Sequence, residues 1–82
     1  MDSAGGQFGL IDTESGNMVG WYESEEAALR DVAADVERFG PEAPDVLSLA
    51  LFRTDLPGER GRIAAGPALV RRALAAAASP GA

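Results

Sequence analysis

Residues 7–39, QFGLIDTESGNMVGWYESEEAALRDVAADVERF, hold two short strand-like runs that lead straight into a capped amphipathic helix. Thr13-Glu14-Ser15-Gly16-Asn17 puts polar turn formers between the runs and a glycine where a type I turn closes through a left-handed residue. That pattern predicts a β-hairpin with a three-residue loop, Glu14 to Gly16, and a glycine bulge. In that register Thr13 faces Asn17, Ile11 faces Val19, Gly9 faces Trp21 and Phe8 faces Tyr22. Side chains alternate across a strand. Ile11, Val19 and Trp21 are therefore expected on one face, and Phe8, Leu10, Met18 and Tyr22 on the other. Both faces are apolar, and a two-stranded ribbon of this kind is not stable alone in water. Each face needs a cover.

The following helix supplies one. Ser24 is a favourable N-cap, and Glu25 and Glu26 place negative charge in the first turn, against the helix dipole. Ala28, Leu29, Val32, Val36 and Phe39 recur at helical spacing and form one apolar stripe. Glu26 and Arg30 stand four apart in the favourable order. Gly40-Pro41 ends the helix.

Further along, Val46–Arg53 reads as a central strand, with Leu47, Leu49 and Leu51 on one face and Val46, Ala50 and Phe52 on the other. Leu56-Pro57-Gly58-Glu59 has the residues of a type II turn, from which a short strand, Arg60 to Ala65, returns. Gly66-Pro67 then opens a second helix with proline at its first position. Its apolar stripe is Leu69, Val70, Ala73, Leu74 and Ala77. The order β-β-α-β-β-α defines an α+β fold, a small, mostly antiparallel sheet with helices packed on it. Residues 1–82 form one domain, with a flexible lead-in over 1–6 and a flexible tail over 79–82.

At 82 residues such a domain buries only about 60–65% of the surface of its unfolded chain. With no cysteine it has no disulfide, so it relies on its core or on association. No signal-peptide pattern opens the sequence and no apolar run is long enough to span a bilayer; a cytoplasmic protein without a membrane partner is expected.

The chemistry is bounded by what is missing. Without His, Cys or Lys, the usual general base, thiolate and Schiff-base amine are absent. Asp12 and Glu14 are the nearest approach to a carboxylate pair, but they sit at a hairpin tip. Asp12 to Glu23 has the length of a calcium loop, yet strand residues Met18 to Tyr22 interrupt it. No catalytic residue, metal site or cofactor is expected.

Net charge is −6 and unevenly spread. All thirteen carboxylates and three arginines fall in residues 1–59, whereas residues 60–82 hold four arginines and no carboxylate. The basic cluster is Arg60, Arg62, Arg71 and Arg72. No aromatic residue is interleaved with it, which argues against nucleic acid as a partner. The interface candidates are Trp21, Tyr22, Met18, Val19 and Ile11, because aromatic and apolar groups on two sheet faces exceed what one helix can cover.

Gly9–Asp12, Ser15–Met18, Ser24–Leu29 and Phe39–Pro41 together resemble a group of small proteins of high-GC bacteria. Those proteins carry a G-L-I-D-x-x-S/T-G-N-hydrophobic hairpin, an S/T-x-E-E-A-L helix start and an F/H-G-P helix end. This chain departs from them by one extra alanine, Ala28, before Leu29. That resemblance covers the first half of the chain and implies no particular activity. The hairpin running into Ser24-Glu25-Glu26-Ala27-Ala28-Leu29 is more distantly similar to HicB-type antitoxins, although the proline-glycine strand connection of those proteins is missing. The excess of carboxylates over arginines in residues 1–59 motivates the alternative expectation, an acidic antitoxin-like or regulatory protein that neutralises a basic partner. The leading expectation from the residues themselves is a non-catalytic interaction module that acts through protein contacts, as a homodimer or with a protein partner.

Overall fold

A computed structural model describes residues 7–56 and 58–78. The hairpin and its helix form as their local chemistry dictates, as strands β1 (Phe8–Asp12) and β2 (Met18–Tyr22) and helix α1 (Glu25–Phe39). The Ser24 hydroxyl accepts the Ala27 N–H at 3.1 Å, capping α1, and the Gly40 N–H closes it by donating to the Val36 carbonyl at 2.8 Å. A short helix, α2 (Pro44–Leu47), precedes strand β3 (Leu49–Arg53). A 3-10 turn over Gly58–Gly61 leads into β4 (Arg62–Ala65), and α3 (Gly66–Ala77) ends the described chain.

The four strands form one antiparallel sheet in the order β2-β1-β3-β4. All three helices contribute to one buried cluster with its inner face. Leu10, Leu51, Leu69, Val32 and Val46 are its largest fully buried side chains. Ala28 and Ala73 are also fully buried, small residues that suit the close packing of α1 on α3. At the rim of that contact, Arg72 of α3 reaches Glu25 in the first turn of α1 at 2.6 Å.

The α+β class and antiparallel sheet agree with the sequence, but the order is β-β-α-α-β-β-α rather than β-β-α-β-β-α. The strand expected to start at Val46 starts at Leu49. Pro44 pre-sets a helical first turn, and the Ala43 carbonyl accepts the N–H groups of Val46 and Leu47 at 3.0 and 2.9 Å. Val46 is thereby turned into the core instead of onto the outer sheet face. β4 likewise begins at Arg62, because Arg60 and Gly61 complete the 3-10 turn. The type II turn expected over Leu56–Glu59 includes Pro57, which lies outside the described residues, as do the lead-in 1–6 and the tail 79–82.

Two helix stripes also shift. Phe39 is half exposed, with the Arg38 guanidinium 5.3 Å from its ring centre, and Ala33 takes a buried place that the sequence reading did not give it. In α3, Leu69, Val70 and Ala73 are buried while Leu74 and Ala77 face outward. The inward face of α3 is set by contact with α1 and β4, not by its most apolar arc.

This helix phase has a measurable consequence. Leu69→Ala should cost about 2–5 kcal/mol of unfolding free energy, as for a fully buried leucine. Leu74→Ala should stay within about 1 kcal/mol, as for a surface position. Urea titrations of the two variants read the difference, and equal costs would contradict the orientation of α3.

Candidate protein interface on the open sheet face

The hairpin turn decides what reaches the outer face of the sheet. The loop has four residues rather than three: the Asp12 N–H donates to the Asn17 carbonyl at 2.9 Å, and the Gly16 N–H donates to the Asp12 carbonyl at 2.7 Å. Gly16 takes the left-handed conformation, φ 78°, that this closure requires. Thr13 does not pair with Asn17. Its N–H and hydroxyl both donate to the Ser48 carbonyl, at 2.7 and 2.8 Å, which extends the β1–β3 ladder by one step.

Beyond the turn Ile11 pairs with Met18, not Val19, and Leu10 pairs with Gly20. Val19 is the extra residue of a bulge, which restores the expected pairs Gly9 with Trp21 and Phe8 with Tyr22. The bulge moves Met18 to the opposite face from the one expected. Its methyl group lies only 3.1 Å from where a Cβ on Gly9 would stand, alongside the Phe52 ring at 2.8 Å.

The outer face therefore carries two rows of aligned residues. Trp21, Gly9, Phe52 and Arg62 cross all four strands in one row, and Met18, Ile11, Ala50 and Ala65 cross them in the next. None of these residues belongs to the core cluster or packs against it. Trp21 is 52% exposed, Val19 50% and Met18 39%. Ala50 is nonetheless buried. Among the eight residues of the two rows, Arg62 alone is charged.

The sequence candidates thus separate. Ile11, Met18 and Trp21 come together on the outer face, with Val19 exposed at the bulge beside them. Tyr22 lies on the inner side, packed against the core. Its hydroxyl passes over Gly20, where a Cβ would stand only 2.7 Å away, and donates to the Asp31 carboxylate at 2.7 Å. Phe52 and Ala50 complete the outer patch. The alternation within β3 had placed them away from the leucines, but the pairing of β3 with β1, which sets them beside Ile11 and Gly9, depends on the whole topology.

The basic cluster does not converge. Arg62 is level with Phe52 on the outer face, whereas Arg71 and Arg72 are exposed on α3, in the layer behind the inner face. Arg72 is paired with Glu25. Asp12, the first of the two hairpin-tip carboxylates, is held by the backbone of its own turn. Asp12 Oδ1 accepts the Glu14 N–H at 2.9 Å, and this bond to the backbone holds its carboxyl below the usual range. A general acid at neutral pH requires the opposite shift. Among the described residues no cluster of three or more His, Cys, Asp or Glu side chains could hold a metal, and no helix is long and apolar enough to cross a membrane.

Comparison with protein-family models, with curated proteins and with solved structures gave no match.

Tyr22 provides a test of the inner side of the hairpin. Its hydroxyl is pushed above the usual phenol range, first by burial, then by donation to Asp31 and the negative charges of Asp31 and Asp35. A phenol raised in the folded state contributes stability that is complete below its unfolded pKa, about 10, and is lost as pH rises above it. Tyr22→Phe should therefore lower stability by about 1 kcal/mol at pH 8. The gap to wild type should close above about pH 10. With no lysine or cysteine in the chain, no other side chain titrates in that window, so urea midpoints across pH 8 to 11 are a direct readout. A gap that persists unchanged at high pH would contradict the Tyr22–Asp31 bond.

Proposed function

We propose that this chain is a non-catalytic protein-interaction module, acting in the cytoplasm, that self-associates through the outer face of its sheet. The observation that carries this reading is the pair of rows, apolar but for Arg62, on a face that no described helix covers. Exposed aromatic and apolar side chains gathered on one surface mark a contact site more often than scattered ones do.

A second copy of the chain suits that face. The two outer rows hold no carboxylate, and five of the thirteen belong to α1, in the layer behind the sheet, so two copies meeting by their outer faces keep their acidic helices apart. Edge-to-edge pairing is disfavoured, because both edge strands carry a register shift, at Val19 in β2 and at Ile63 in β4. Bulges of that kind blunt an edge against strand addition.

The antitoxin-like alternative rests on the acidic outer surface of α1 and on the likeness of the hairpin-to-helix segment to HicB-type proteins. It is the weaker reading, since Glu25 and Glu26 already pair with Arg72 and Arg30.

Sedimentation velocity from low to high micromolar concentration distinguishes the two. A dimer should form, and Trp21→Ser should weaken it at least tenfold, the loss expected for an aromatic anchor worth about 2 kcal/mol or more. Wild-type chain that stays monomeric at high micromolar concentration would refute self-association. A salt-sensitive complex with a basic protein, formed by that monomer, would favour the alternative.

A further inference from the structure

The arrangement of residues across the outer face selects one geometry for such a dimer; this step rests on the self-association proposed above. Trp21 stands on one edge strand and Arg62 on the other, in the same row, with Gly9 and Phe52 between them. In the next row Met18 stands on β2 and Ala65 on β4, with Ile11 and Ala50 between.

We infer that two copies pack face to face about a two-fold axis parallel to the strands, so that each copy's Arg62 lies against Trp21 of the other. Rotation about that axis keeps each residue at its own level along the strands and reverses the strand order. β2 then rests on β4 of the second copy, and β1 on its β3. Trp21 meets Arg62, Met18 meets Ala65, and the Phe52 rings, which lean over Gly9 toward the middle of the sheet, meet each other near the axis. An interface of this type is isologous: each contact occurs twice.

Electrostatics distinguishes this axis from its rival. A two-fold perpendicular to the strands would lay β4 on β4 and gather both Arg62 guanidinium groups at one edge, in a face with no other charge in its two rows. The parallel axis sends them to opposite edges, about 14 Å apart, three interstrand spacings. It also gives each guanidinium an aromatic face, the preferred neighbour of a planar cation in a partly desolvated site. Aligned packing of two twisted sheets, with strands within about 30° of each other, accommodates this overlap.

The chain has no native cysteine, so engineered thiols report the geometry directly. Met18→Cys and Ala65→Cys variants would be prepared separately and checked by far-ultraviolet circular dichroism. Each would be treated with a short bis-maleimide, alone and as an equimolar mixture. Cross-linking in the mixture, and little in either variant alone, is the expected result. Efficient linkage within Met18→Cys alone or Ala65→Cys alone would overturn the parallel axis while leaving self-association intact. No linkage in any sample that still sediments as a dimer would do the same. A monomeric wild type would remove both the arrangement and the function it rests on.

Arg62→Ala gives an independent measurement that disturbs no buried position. Its dimer dissociation constant should rise about tenfold, from the loss of two cation–aromatic contacts. An unchanged constant would overturn the Arg62–Trp21 contact.

Discussion

A sheet has two faces, and the described helices of this chain all lie on one of them. That constraint governs the rest of the molecule. Leu10 and Leu51 lie side by side at the centre of the inner face, both fully buried, and α1, α2 and α3 close over them. Once those helices are committed, no described element remains for the outer face. Its side chains must cover one another. Phe52 and Met18 fold over the bare backbone at Gly9, and Ala50 between the strands is buried. Self-cover of this kind is incomplete, because Trp21 at the edge strand has neighbours on one side only. Half its surface stays in water.

The glycines of the hairpin make both faces possible. Gly9 leaves room on the outer side for the Phe52 ring, and Gly20 leaves room on the inner side for the Tyr22 hydroxyl to reach Asp31. A Cβ at either position would collide with the ring that crosses it. The same two strands therefore pack tightly on the helix side and lie low on the other, where an approaching surface meets side chains close to the sheet plane.

Local signals in the sequence specified the hairpin, α1 with its Ser24 cap and Gly40 stop, and the α3 start at Gly66-Pro67. Each is set by groups only a few residues apart. What escaped depends on distant groups. The hairpin register hinges on whether Thr13 closes the turn or bonds to Ser48, and nothing near Thr13 announces a carbonyl 35 residues away. In the register that accompanies this bond Met18 lies on the outer face and Val19 forms the bulge. The short helix before β3 was hidden for a different reason: Val46 and Leu47 suit a strand as well as a helix, and the bonds to the Ala43 carbonyl decide between them. Phe39 and Leu74 mislead because apolar character alone does not say where a neighbouring helix will lie. Of the candidate site, Trp21 and Ile11 were legible from alternation, Met18 was assigned to the wrong face, and Phe52 became part of the patch only through the pairing of β3 with β1.

The charge distribution gains a physical meaning from this layering. Arginines that look like one cluster in the sequence are divided between two sides of the molecule. Arg72 answers the acidic start of α1, at the rim of the packed face, and is partly screened by water, so its pairing adds little to stability. Arg62 is different because its setting is apolar. In the monomer it stands in water beside Phe52 and costs nothing. In a buried interface it would be an isolated cation unless something answered it, and burying such a charge without a partner is strongly unfavourable. A surface that presents an aromatic ring or a hydrogen-bond acceptor at that position would answer the charge. In the proposed two-fold arrangement a second copy would bring Trp21 there, and a partner lacking such a group would be disfavoured by the same charge.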